Sequence, residues 1–193
     1  MKIFITLTVS LLLHNLLFSQ IRTTSNNAFV AKEFNKEVAL FNSKKFLFSN
    51  VLETKETLDK FEVIPLASAN SGELTTLLYK SETKQKEGMI LGFFGNYWNE
   101  SGVLYQGYSF KNFDKEHSIE FLNKIENAIE KNIKFLKEDN DNNNIVFMYD
   151  DIYVLIWTSS GTYTIRIFWN GFDSTWEKTA YERSKRRFEK QIK

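Results

Sequence analysis

Asn144–Gly171, NIVFMYDDIYVLIWTSSGTYTIRIFWNG, is the stretch whose pairing sets the architecture of the chain. Ile152–Trp157 and Tyr163–Trp169 are rich in β-branched and aromatic residues and flank Ser159-Ser160-Gly161, where glycine supplies a left-handed turn position. The pattern predicts a β-hairpin with a three-residue loop. With Thr158 opposite Thr162, Trp157 would face Tyr163, Leu155 would face Ile165 and Tyr153 would face Ile167 on one side, by the period of two. That side is assigned to the core. Ile152, Val154 and Ile156, with Thr164, Arg166 and Phe168, fall on the other, partly covered side.

Immediately before it, Asp114–Lys137 reads as a helix. Leu122, Ile125, Ile129, Ile133 and Leu136 recur at three and four, Ile119, Phe121 and Ala128 widen the stripe, and Glu and Lys fill the opposite face. Asp114 is a suitable N-cap, and Glu116 stands in the positively polarised first turn. A helix and a hairpin each with one apolar face are expected to lie on one another.

Working outward, Glu73–Ser81, Met89–Trp98 and Val103–Phe110 read as consecutive antiparallel strands joined by polar, glycine-bearing connectors. Gly92, Gly95 and Gly107 lie inside those runs and predict bends or close backbone approaches. Phe61–Leu66 is a further strand, placed at a sheet edge by Pro65. Ile145–Tyr149 is another, turning at Asp150-Asp151. The last element is predicted to open at Asp173-Ser174, with Ser174 and Glu177 at capping-box spacing and Trp176, Ala180, Ser184, Phe188 and Ile192 at fours. Phe29–Ser49 fits either a short helix or paired strands. The expected class is α+β: an antiparallel, curved sheet of about six or seven strands, one long amphipathic helix packed on it, and a C-terminal helix.

Residues 1–19 carry Lys2 and then an apolar run in the layout of a secretory signal peptide, so the chain is expected to be secreted or periplasmic. That run, interrupted by His14 and Asn15, is short for a membrane span, and no transmembrane span is expected in the mature chain. Residues 20–27 read as a flexible leader and 28–193 as a single domain. The chain has no cysteine, which excludes disulfides, thiolate metal sites and thiol nucleophiles. Without residues 1–19 it holds 24 Lys+Arg against 24 Asp+Glu (25 minus Lys2, and no acid lost), so bulk charge offers nothing to nucleic acid. Lys111–Asp151 has six Lys against ten acids and Ser174–Lys193 seven Lys/Arg against three Glu, so the terminal helix has charge reason to dock on the acidic region.

Four groups of residues bear on function. Tyr97, Trp98, Tyr105 and Trp169, with Tyr108 and Phe172 nearby, form a candidate aromatic platform for a small molecule or a glycan, set against the plain filling of a β-rich interior. Asp139, Asp141, Asn143 and Asp150 fall at EF-hand-like positions for calcium, but Asn144 stands where glycine makes the sharp turn, and a strand follows in place of a helix. No metal and no cofactor is therefore expected. The basic run Ser184–Lys190, SKRRFEK, reads as the solvated face of a helix. His117 at a helix start and the Asp150-Asp151 pair are the candidates for acid-base chemistry, without a nucleophile elbow or phosphate-binding loop to accompany them. Asn99-Glu100-Ser101 matches a glycosylation triplet. The expectation is a non-enzymatic binding or interaction domain for a small molecule, glycan or protein. The alternatives are a carboxylate-based hydrolase and a structural component of the cell envelope.

Overall fold

The structure, a computed structural model, describes residues 39–56, 58–98 and 101–192, without the side chains of Ala39, Trp98 and Tyr105. The signal peptide, the leader and the glycosylation triplet's Asn99 lie outside the described residues. From Ala39 onward the chain runs α1 (Ala39–Phe46), a π-helical turn (Leu47–Val51), β1 (Glu62–Ser68), β2 (Leu74–Ser81), β3 (Lys86–Trp98), β4 (Leu104–Asp114), α2 (Lys115–Glu138), β5 (Asn144–Tyr149), β6 (Ile152–Ser159), β7 (Thr162–Trp169), β8 (Phe172–Glu177) and α3 (Lys178–Gln191). Four antiparallel strands followed by a helix thus occur twice.

All eight strands belong to one antiparallel sheet that does not close into a barrel, in the order β1-β2-β3-β8-β7-β6-β5, with β4 on the other side of β3. β3 joins the two meanders. Along one side it pairs with β4 from Gly88 to Trp98, and along the other with β2 from Lys86 to Phe93 and then with β8 at Tyr97↔Phe172. Glu73 fills the gap where β2 stops. Its carbonyl accepts from the Phe94 N–H at 2.9 Å and the Ser174 hydroxyl at 3.3 Å, and its carboxylate accepts from the Thr175 N–H at 3.0 Å. β1 is the edge strand expected from Pro65, and its register shifts between Pro65 and Ala67.

α2 and α3 cover one face of this sheet, α2 lying against β3, β4, β5 and β6 and α3 against β1, β7 and β8. Phe121, Leu122, Ile125, Ile129 and Leu136 of α2 are buried, as the apolar stripe requires. They meet Met89, Leu91 and Phe93 of the first meander, Val154, Ile156, Ile165 and Ile167 of the second, and Phe188 of α3 in one core. The complementary charges do meet: Lys185 of α3 donates to Asn123 Oδ1 at 2.6 Å and pairs with Glu126 at 2.5 Å. On the opposite face of the first meander, Leu77, Tyr79 and Ile90 pack under Leu47, Val51 and Leu52, with Phe46 of α1 alongside. The ambiguous segment is therefore helical over its described part.

α2 begins as expected. The Asp114 carboxylate accepts from the His117 N–H at 2.9 Å and bonds the His117 ring at 2.8 Å. The backbone bond holds the Asp114 carboxyl below its usual range, and the side-chain bond from Asp114 raises His117. The Asp114 contribution is present above its ordinary 3.8 and fades as pH falls through the lowered folded value; the His117 contribution is complete below 6.5 and fades as pH rises through the raised one. Asp114→Ala is expected to cost about 1 kcal/mol and to flatten the pH dependence of the urea midpoint below about pH 4 and above about pH 6.5. An unchanged midpoint at about pH 5 would show that the cap contributes nothing.

Two expectations are corrected. The β6–β7 connection is a two-residue turn, Ser160-Gly161, with φ of 51° and 77°, so that Thr158 faces Tyr163, Trp157 faces Thr164, Leu155 faces Arg166 and Tyr153 faces Phe168. Both turn residues are left-handed, the arrangement whose twist matches the flanking strands. β7 keeps its expected faces and β6 is inverted: Ile152, Val154, Ile156 and Thr158 are fully buried, while Tyr153, Leu155 and Trp157 point outward. Thr158 is tolerated inside because its hydroxyl donates to the Leu136 carbonyl at the end of α2.

The second correction concerns Phe172–Glu177, which is strand β8 and not a helix start. Asn170-Gly171, with φ of 49° and 78°, makes a second turn of the same kind and folds it onto β7. α3 starts only at Lys178, without a side-chain cap from Glu177. Trp176 still enters the core, from a strand, between Phe121 and Tyr181.

Candidate functional site

The aromatic residues nominated from the sequence divide. Tyr97 and Trp169 are half-buried and share a ring cluster, Tyr97 with Phe172 at 5.2 Å between centroids and Trp169 with Phe93 at 5.0 Å. The Trp169 indole N–H donates to Asp151 Oδ2 at 2.9 Å. Trp98 and Tyr105 pair with Leu104 and Tyr97 through their backbones, and their side chains lie outside the described residues. Asp139, Asp141 and Asn143 sit in the turn before β5, where Asp139 Oδ1 accepts from Asn142 and Asn143 donates to the Phe135 carbonyl. Asp150 stands at the far end of β5 beside Lys111, so the strand separates it from the other three. Among the described residues no three His, Cys, Asp or Glu side chains gather as metal ligands would.

The acid-base candidates are held in ion pairs. Lys111 Nζ bridges Asp150 at 2.6 Å and Asp151 at 2.7 Å. Burial opposes the lysine's charge, but the two carboxylates outweigh it and raise its pKa. Burial likewise works against the Asp151 charge, and the bonds from Lys111 and Trp169 more than reverse it. A carboxyl pulled down, like Asp151 and Asp114, moves away from the value a general acid needs at neutral pH. In the basic run, Lys185 is engaged with α2 and Arg187 donates to the Leu66 carbonyl at 2.5 Å. A cleft of about 350 Å³ between α2 and α3 has Lys185 and its glutamates as its walls. Another, of about 600 Å³, has the buried Tyr79 at its base, the hydroxyl pushed up to about 12 chiefly by burial. Its lysines are engaged too, Lys86 with the Val51 carbonyl and Lys115 with Glu87.

A surface that single residues in the sequence did not indicate is the outer face of the second meander. The pairing sets side chains there in three rows across β5, β6, β7 and β8: Met148, Tyr153, Phe168 and Asp173; Val146, Leu155, Arg166 and Thr175; Asn144, Trp157, Thr164 and Glu177. Val146 is 65% exposed, Met148 53% and Tyr153 54%. Strands about 4.8 Å apart and rows about 6.8 Å apart put the apolar group at roughly 10 by 14 Å between Cβ atoms. Arg166 is anchored beside it by a bidentate pair with Asp173, one arm at 2.8 Å, and that partner holds it more firmly protonated. Tyr, Trp, Phe, Met and Arg are the types concentrated in the centres of protein interfaces, and lysine, which is depleted there, is absent from all twelve positions. The signal that could have found this face is the pair of left-handed turns, since those fix which residues of β6 and β8 point outward.

The free edge of this face is β5. In a two-residue hairpin closed by Tyr149↔Ile152, odd-numbered residues of β5 bond to β6, and Val146 and Met148 turn their backbone groups to the open side. Lys124 of α2 reaches over and donates to the Met148 carbonyl at 3.1 Å, its ammonium 5.4 Å from the ring centres of both Phe147 and Tyr149. No helix of the described residues is long and apolar enough to cross a membrane. With this geometry in view, neither a family model, nor a curated protein, nor a solved structure matches the chain.

Proposed function

We propose that the protein is an exported, non-enzymatic interaction domain that holds a protein partner on the open face of β5–β8. One observation carries this reading. Both meanders have an apolar outer face; the chain's own helical segment covers the first, and no described helix covers the second, where Val146, Met148 and Tyr153 are more than half exposed. A contiguous apolar patch of a few hundred Å² is at the upper end of what monomers expose and marks contact sites. Stable complexes bury about 800 Å² per partner, so the patch would be the desolvated centre of a larger contact with Arg166 and Asp173 on its rim.

The test is selection of displayed random peptides on the wild-type chain, followed by titration of the selected peptides against a Tyr153→Asp/Trp157→Asp double variant. The expected result is saturable binding weakened about tenfold or more, as loss of two aromatic anchors implies, with far-UV circular dichroism unchanged. Equal binding by the folded variant, or no saturable binder to the wild type, would remove the reading.

A further inference from the structure

The interaction face ends at a strand edge that has its own groove, and the groove has a length and a charge. Two contacts tie α2 alongside β5: Lys124 to the Met148 carbonyl at one end and Asn143 to the Phe135 carbonyl at the other. The eleven-residue advance from Lys124 to Phe135 covers about 16 Å at 1.5 Å per residue, and the five residues from Met148 back to Asn143 cover about 16 Å at 3.3 Å each. Helix and edge therefore run side by side for the whole strand. By helical spacing, Lys124, Ala128, Lys131 and Phe135 form the row that follows this edge, and Phe135 is 43% exposed. The edge strand itself, Asn144–Tyr149, carries no charge.

We propose that the partner enters as an extended segment that adds a strand to the free edge of β5, with acidic side chains directed toward α2. This rests on the interaction reading above and names the partner's chemistry. Val146 offers an N–H and a carbonyl and Met148 an N–H, enough to start an antiparallel ladder. Alternate side chains of the incoming strand fall beside Val146 and Met148 on the outer face, and the others fall against α2. An incoming N–H that takes the Met148 carbonyl displaces the Lys124 ammonium, which is then available to a carboxylate on the newcomer. Lys124 and Lys131 lie along the length of the groove and favour such a segment, while the acid at its end, Glu120, is held by the Tyr149 hydroxyl at 2.9 Å. The two lysines disfavour a second copy of this chain, whose two-fold pairing would bring four lysines to one seam.

The probes are blocked octapeptides alternating valine with glutamate, and the same peptides with lysine in place of glutamate. The glutamate peptide is expected to bind saturably, to slow hydrogen exchange at the Val146 amide, and to bind about tenfold or more tighter than the lysine peptide. Val146→Pro removes the outward N–H without touching the β5–β6 ladder, a position where an edge strand admits proline; it should abolish binding. Lys131→Glu, on an exposed helical position, should erase or invert the preference between the peptides without relying on the proline variant's folding. Equal affinity for both peptides, or full binding by a folded Val146→Pro chain, would overturn the proposal. So would a wild-type dimer in sedimentation that Val146→Pro dissociates, because the occupant would then be a second copy. Selected peptides that lose affinity for the Tyr153→Asp/Trp157→Asp variant but not for Val146→Pro would refute strand addition alone, leaving the interaction face in place. Loss in neither variant removes both readings.

Discussion

Ile156→Asp is expected to leave the chain largely unfolded in water, whereas Tyr153→Asp, three residues earlier on the same strand, should shift stability by no more than about 1 kcal/mol. Ile156 is fully buried opposite Ile165 in the apolar core, and a carboxylate there would exchange water for hydrocarbon neighbours. Such a burial costs more than about 4 kcal/mol, a large part of what a domain of this size has to lose. Tyr153 is 54% exposed on the outer face, and its replacement removes contacts with Phe168 and Met148 but buries no charge. Urea unfolding followed by circular dichroism separates the two. The reverse ranking would restore the face assignment first read from the sequence and would dissolve the proposed interaction surface along with it.

Gly88→Ala should be the most damaging of the small substitutions. A Cβ at Gly88 would stand 2.0 Å from the Phe113 carbonyl oxygen and 2.8 Å from both Asp114 Cα and the Tyr79 hydroxyl. Two of those three atoms are backbone, which a rotamer change cannot move. β3 and β4 must part where α2 begins, at a cost of about 3 kcal/mol or more, visible as a fall in the urea midpoint. Gly161→Ala makes the comparison, since it meets nothing within 4 Å and is penalised only by its φ of 77°, about 1 kcal/mol. A smaller loss at Gly88 than at Gly161 would mean that β3 and β4 are not so closely apposed.

What the sequence disclosed follows from how one-sided each segment is. α2 was legible from end to end because its apolar residues occupy one stripe over 24 residues and its first turn has a single good cap. The first meander was legible from its punctuation. β6 was not, because both of its alternating sets are apolar: Ile152, Val154 and Ile156 on one side, Tyr153, Leu155 and Trp157 on the other. Only the choice between a two- and a three-residue turn at Ser159-Ser160-Gly161 separates them, and one residue of register inverts a strand. β8 was hidden by competing local signals. Ser174 and Glu177 have capping-box spacing, yet Asn170-Gly171, the stronger hairpin signal, closes the strand onto β7. The open face was illegible for a different reason. Whether Val146 and Met148 meet water depends on which meander α1 covers, and no short-range pattern in β5 records that.

The seam at β3 also dictates an order of events during synthesis. Once Leu104–Asp114 has left the ribosome, the far end of β3 is zipped along one flank, but the backbone of Tyr97 on its other flank waits for Phe172, about 75 residues downstream. Throughout that interval the nascent chain presents a half-finished ribbon with an aromatic tip. The C-terminal strand is therefore the closing stitch, and the hazard of mispairing is concentrated in the time before it arrives.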